Sequence, residues 1–148
     1  MPSTHISLHY HLIFSTKDRR PSIKSEWQNR LHEFLGGTAR NLEGFPQGVG
    51  GTNDHVHLLV GLKSTHRLAD FVRELKKVSS AWVHKTIGEK TFTWQEGYGA
   101  FTVSPTIRSK VRQYIANQSE HHRTRSYREE LVELLEHSGV DYDPKYLD

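Results

Sequence analysis

The sequence predicts an α+β fold in which antiparallel strands carry helices packed on one face. Three observations lead there. His5–Ser15 and His55–Leu62 are short and rich in β-branched and aromatic residues, as strands are. Ile23–Leu42 and His66–Ile87 repeat their apolar residues at helical spacing. The elements follow one another as strand, helix, strand pair, helix, strand, helix, an order that suits a layered sheet-and-helix sandwich.

Each element has its own signal. HISLHYHLIFS (residues 5–15) alternates polar and apolar side chains, and the basic loop TKDRRP follows, closed by Pro21. Trp27, Leu31, Phe34 and Leu35 mark the first helix, although Gly36 and Gly37 weaken it. GFPQGVGGTND reads as a loop or a short edge strand, and HVHLLVGL as a firm strand. Leu68, Phe71, Val72, Leu75, Val78 and Trp82 form the apolar stripe of the second helix. Thr91–Ser104 reads as a further strand. Pro105 opens a helix running to about Glu120, since proline suits a first helical turn. A last helix spans Ser126–His137, with Ser126 and Glu129 spaced as a capping box and Gly139 as its stop.

At 148 residues the chain is expected to form one domain over 1–148, with 129–148 as an acidic C-terminal extension. No stretch reaches the roughly 18 apolar residues of a membrane helix, and the N-terminus lacks the pattern of a signal peptide. With 0 Cys, disulfides and thiol nucleophiles are excluded, and a reducing cytosol is the expected compartment. Residues 1–128 carry 19 Lys/Arg against 10 Asp/Glu, whereas residues 129–148 carry 1 Lys against 7 acids. A basic body suits a phosphate-rich partner, and equally a solvated surface whose charges have segregated.

His55-Val56-His57 is the sharpest chemical signal. Residues i and i+2 of a strand project from one face, so two imidazoles converge as half of a metal site, with Asp54 in reach as an orienting group. The plainer reading is two polar residues on a half-exposed strand. A histidine-triad nucleotide hydrolase is excluded, because Leu59 stands where a third His would be needed. His9-Tyr10-His11 repeats the spacing and is a rival pair, able to join the first if the strands are neighbours, or else simply structural. In RSKVRQYIANQSEHH, Tyr114 and Gln118 share a helix face. A phenol of pKa near 10 becomes a nucleophile only beside a cation or metal, and Tyr114 otherwise reads as a packed ring with a wet hydroxyl. Arg108, Arg112, Arg123 and Arg125 would neutralise phosphate nearby. Lys17, Arg19 and Arg20 on a loop, and Arg73, Lys76 and Lys77 on the middle helix, form two further basic clusters suited to a nucleic-acid backbone.

Taken in order, LHYHLIFSTKDRRP, DHVHLLV, LKKVSS, WQEGYGAFTVS and VRQYIANQSEHH resemble, over about the whole chain, the HUH single-tyrosine transposases of the insertion sequence 200/605 family. The resemblance implies a ferredoxin-like (RRM-like) antiparallel sheet with an added tyrosine-bearing helix. It implies His55, His57 and Gln118 as ligands of Mg²⁺ or Mn²⁺, and Tyr114 as the nucleophile that forms a 5′-phosphotyrosine. It further implies DNA hairpins on single-stranded substrate, a prokaryotic cytosol, and a homodimer whose active sites are composite, the tyrosine helix of one subunit completing the histidine pair of the other. Lys17, Arg19, Arg20, Arg73, Lys76, Lys77, Arg112 and Arg123 are the expected DNA contacts. The extension EELVELLEHSGVDYDPKYLD departs from compact members. Two other functions compete: a hairpin-binding module without catalysis, which would need none of the four site residues, and a relaxase or replication-initiator nickase, whose domain is larger and differently ordered.

Overall fold

The structure, a computed structural model, describes residues 3–147; Met1 and Pro2 of the N-terminal segment and Asp148 of the acidic extension lie outside it. Four strands, β1 (His9–Ser15), β2 (Phe45–Gly51), β3 (His55–Gly61) and β4 (Gly99–Thr102), form a sheet in the order β2-β3-β1-β4, each antiparallel to its neighbours. Helices α1 (Ser25–Asn41) and α2 (Leu68–Trp82) make the crossovers, which is the ferredoxin-like arrangement.

Alternation along the two central strands divides the molecule. Leu12 and Phe14 of β1, with Val56, Leu58 and Val60 of β3, face α1 and α2 and close an apolar core with Leu31, Leu35, Phe71 and Leu75. The other face is also covered. It carries α3 (Arg108–Ala116), α4 (Gln118–His121) and α5 (Tyr127–His137). Ile13 and Phe101 pack there against Tyr127, Leu131 and Leu135 of α5, while Leu59 and Val103 meet Ile115 of α3. Gly50 lets α3 lie down on β2, because a Cβ there would stand 2.1 Å from the Ile115 carbonyl oxygen. Both faces of β3 are therefore buried.

Several boundaries differ from the sequence reading. β1 begins at His9 rather than His5, because its partner β3 ends opposite it at Gly61. The segment GFPQGVGG forms the edge strand β2. The expected strand over Thr91–Ser104 shrinks to β4. Phe92 and Trp94 alternate there because both plug the core from a loop, which touches the sheet through a single Thr16–Trp94 bridge. The tyrosine helix breaks at Asn117 (φ −102°, ψ 28°) before α4 begins. The capping box of α5 forms as expected, Ser126 accepting from the Glu129 N–H, and Gly139 takes the left-handed φ of 66° that ends the turn. Among the described residues no helix is long and apolar enough to cross a membrane.

Candidate active site

The face of the sheet turned away from α1 and α2 gathers the residues singled out for chemistry. The strand period turns His55 and His57 of β3 the opposite way from Val56 and Leu58, and both are fully buried beneath α4 and α5. Gln118, at the start of α4, places Oε1 2.9 Å from His55 Nε2. It keeps contact with its helical neighbour despite the break, its Nε2 donating to the Tyr114 carbonyl at 3.4 Å. Tyr114 stands over the pair, its ring 5.9 Å from that of His57.

Glu130 of α5 is the hub. Its Oε1 lies 3.0 Å from His57 Nε2, 3.0 Å from His122 Nε2 and 3.4 Å from His55 Nε2. Its Oε2 accepts from the Tyr114 hydroxyl, and from Gln118 Nε2 at 3.1 Å. The carboxylate is 1% exposed.

The outer hydrogen bonds define which imidazole nitrogens point inward. His55 Nδ1 is 2.7 Å from Asp54 Oδ1, and His122 Nδ1 is 2.7 Å from the Arg125 carbonyl oxygen. Both partners only accept, so each Nδ1 carries a hydrogen; each Nε2 then either donates to Glu130 or turns a lone pair inward on a bound metal. His57 Nδ1 is held at 2.7 Å by His11 Nε2. Imidazole nitrogens, the Gln118 oxygen and a carboxylate oxygen thus converge on one point, a donor set that suits a cation at their centre. The ligand atoms of His55, His57, His122 and Glu130 all lie within 4.8 Å of one another. Adjacent ligands of a six-coordinate ion at about 2.1 Å stand about 3 Å apart, and the separations of 2.9 to 3.4 Å match that spacing. The residues fit a divalent metal.

The electrostatics agree with a site built around positive charge. Burial opposes ionisation of Glu130, but hydrogen bonds from His122, His55 and His57 outweigh it and hold the carboxyl far below its ordinary range. Burial likewise works against charge on His55, yet Asp54, Glu130 and Gln118 pull it up to about 9. Burial pushes His57 down to about 4 and, with His57 beside it, His11 down to about 3. Burial and then the Glu130 charge push the Tyr114 phenol up, against ionisation. Two clefts open beside the cluster. One, of about 310 Å³, reaches Tyr114 and Glu130 past Lys110 and Val111. The other, of about 430 Å³, reaches His122 past Asp54 and Ser119, and Arg125 borders both.

The basic residues divide by position. Lys17 and Arg19 form a short turn after β1, tied to the His55 end of the sheet by Thr16 N–H donating to the Asp54 carbonyl at 2.8 Å. Arg20 lines a small pocket of about 100 Å³ with Lys17 and Lys24. Arg112 lies on α3 against Gly48, and Arg123 pairs with Glu120 at 3.1 Å on the surface. Arg73, Lys76 and Lys77 are on α2, on the far side of the sheet. Arg73 is paired with Asp70 at 3.1 Å. Lys76 donates to the carbonyls of Gln95, Glu96 and Gly97, so its ammonium holds a loop and does not face a ligand.

The neighbouring strands let His11 join the cluster, one of the two readings the sequence leaves open, and it bonds directly to His57. Two further members carry no signal in the strand motifs. His122 follows Gln118 by one helical turn. Glu130 sits on the same stripe of α5 as Tyr127, Leu131 and Leu135, and a carboxylate on an apolar stripe was the available signal.

The sequence profile of the family described as "Transposase IS200 like" matches residues 4–118. A candidate transposase from Deinococcus radiodurans R1 is 29% identical and superposes with a TM-score of 0.66, covering 80% of this chain and 95% of that one. A REP-associated tyrosine transposase, solved bound to a REP hairpin, shares the fold at 15% identity and a TM-score of 0.53, covering 78% of this chain and 67% of its own. No curated protein matches the sequence. His55, His57, Tyr114 and Gln118 fall within the matched residues, and His122 and Glu130 fall beyond them. The chain belongs to the IS200-like transposase family.

Proposed function

We propose that the protein cuts and rejoins single-stranded DNA at hairpin-bearing ends, with Tyr114 as the nucleophile and a divalent ion held by His55, His57 and Gln118. One observation carries this reading: a tyrosine hydroxyl shares a buried polar cluster with two strand histidines whose outer nitrogens are already engaged. The mixed nitrogen and oxygen donor set suits Mn²⁺ better than Mg²⁺, which favours oxygen alone. A bound ion would polarise the scissile phosphate as a Lewis acid.

The chain's own residues do the rest. Tyr114 forms a bond to phosphorus and gives up its phenolic proton, the bond from phosphorus to the 3′ oxygen breaks, and the departing oxygen takes a proton to become a 3′-OH. The reverse attack by another 3′-OH restores a phosphodiester, so no external energy source is required. Asp54 and His11 keep the two imidazoles oriented, and packing of Ile115 against Leu59 and Val103 fixes the helix that carries the nucleophile. Arg112, Arg123 and the Lys17–Arg20 turn are the basic groups assigned to backbone phosphates, Arg123 exchanging its Glu120 partner for one.

The test is a labelled single strand with a subterminal hairpin, incubated with Mn²⁺ and run on a denaturing gel. Wild type should yield a protein–DNA adduct. Tyr114→Phe should yield none while binding the hairpin within a few-fold, because affinity comes mainly from phosphate contacts. An adduct persisting in Tyr114→Phe would sink the assignment, and binding without any cleavage by wild type would favour a module that only recognises hairpins.

A further inference from the structure

We propose that Glu130, from the acidic extension, is a working part of this site: one carboxylate oxygen ligates the metal and the other holds the nucleophile, so that α5 couples the ion to Tyr114. The inference rests on the metal reading above and adds a residue that lies beyond the family-matched 4–118.

The two oxygens serve different partners. Oε1 faces the three Nε2 atoms of His55, His57 and His122, and Oε2 faces the Tyr114 hydroxyl and Gln118 Nε2. A carboxylate at 1% exposure is expensive to bury unless its partners repay the lost hydration. A buried carboxylate needs several hydrogen bonds merely to be satisfied, and a well-packed apolar residue would serve stability as well. Here five polar groups from β3, α3, α4 and the turn after α4 converge on one side chain. Tyr127, Leu131 and Leu135 anchor its helix to Ile13 and Phe101, so the carboxylate is delivered by a docked element and not by a loose tail.

Charge balance points the same way. With neutral imidazoles and an amide, a divalent ion would leave the pocket at +2. One carboxylate reduces this to +1, which is the charge that a single phosphodiester neutralises. The Tyr114 hydroxyl, held by Oε2, is kept beside the ion and turned toward the cleft lined by Lys110, Val111 and Glu130. Glu130 thereby acts as a ligand and, toward Tyr114, as a positioning residue.

The experiment compares wild type, His55→Ala, Glu130→Ala and Glu130→Asp. Binding of Mn²⁺ alone is read from loss of the free-ion electron paramagnetic resonance signal, and fold by thermal melting. Glu130→Asp keeps the charge but withdraws both oxygens by one methylene, so it tests the role if Glu130→Ala misfolds. Both Glu130 variants should bind Mn²⁺ at least about tenfold more weakly. At saturating Mn²⁺ their kcat for hairpin cleavage should still fall by about a hundredfold, with hairpin affinity unchanged. If a folded Glu130 variant binds Mn²⁺ as wild type does, or cleaves faster than wild type because the carboxylate had blocked the pocket, the proposal is overturned. His55→Ala separates the two readings. Loss of Mn²⁺ in His55→Ala alone leaves the metal site standing without Glu130, whereas undiminished binding in His55→Ala removes the metal site itself.

Discussion

The two faces of the sheet are made by the same strands and differ in every other respect. Toward α1 and α2, Leu12, Phe14, Val56, Leu58 and Val60 close a dry core whose stability comes from apolar area. Toward α3, α4 and α5, the neighbouring side chains His11, His55 and His57 are just as buried but are held by hydrogen bonds to Asp54, Gln118, Glu130 and each other. Burial alone therefore does not separate scaffold from chemistry. What separates them is whether a buried group is satisfied by packing or by a converging set of polar groups that suits a cation.

Adjacent residues on β3 put this contrast to its hardest test. His57→Ala should lower Mn²⁺-dependent cleavage by about a thousandfold, since several kcal/mol of metal-derived stabilisation are lost at about 1.4 kcal/mol per decade. Leu58→Ala should cost about 2–5 kcal/mol of folding stability and leave kcat of the folded fraction close to wild type. Denaturant melts beside single-turnover kinetics measure both, and a Leu58→Ala protein that is stable but inactive would erase the distinction between the faces. A smaller effect is expected at the edge of the site. His11→Ala should weaken Mn²⁺ binding by about 10–100-fold by releasing His57 Nδ1, while His9→Ala, whose ring meets Arg108, should leave it unchanged.

The smallest effect is on stability of the metal-free protein as pH falls. Burial pushes His11 down to about 3 and His57 and His32 down to about 4, so between pH 6.5 and these values the unfolded chain binds more protons than the folded one. The stability these neutral histidines contribute is fully present above pH 6.5 and drains away as pH drops toward 4. His55 has the opposite sign: raised to about 9, its contribution is complete below pH 6.5 and is lost as pH rises through 9. The unfolding midpoint should peak near neutrality and fall on both sides. An acid limb unchanged in His11→Phe would show that His11 does not contribute to it.

The dry face was legible in the sequence because alternation and helical periodicity report apolar burial directly. Val56 and Leu58, with the Leu68–Trp82 stripe, sufficed for the sheet and its crossovers. The site was half legible. His55, His57 and Asp54 announce themselves by strand spacing, and Tyr114 and Gln118 by the family's motif order. His11 stays undecided in the sequence because register is a tertiary fact: only the pairing of Ile13 with His57 brings its ring to Nδ1. Glu130 is legible only as one acid of the C-terminal extension, because net charge describes a segment and hides a member that turns inward. Lys76 failed in the other direction. Its spacing suggested a phosphate contact, while the fold places three carbonyls around it.

The central claim is that Tyr114 is the residue that joins DNA, and a rival stands close by. The Tyr127 ring lies 4.9 Å from that of His55, buried against the same cluster. Trapping the cleavage intermediate of wild-type protein, digesting it and sequencing the DNA-bearing peptide by mass spectrometry decides between the two. A nucleotide 5′-phosphate on the peptide containing Tyr114 is the predicted result. The same mass addition on Tyr127, or on no tyrosine at all, would contradict the account.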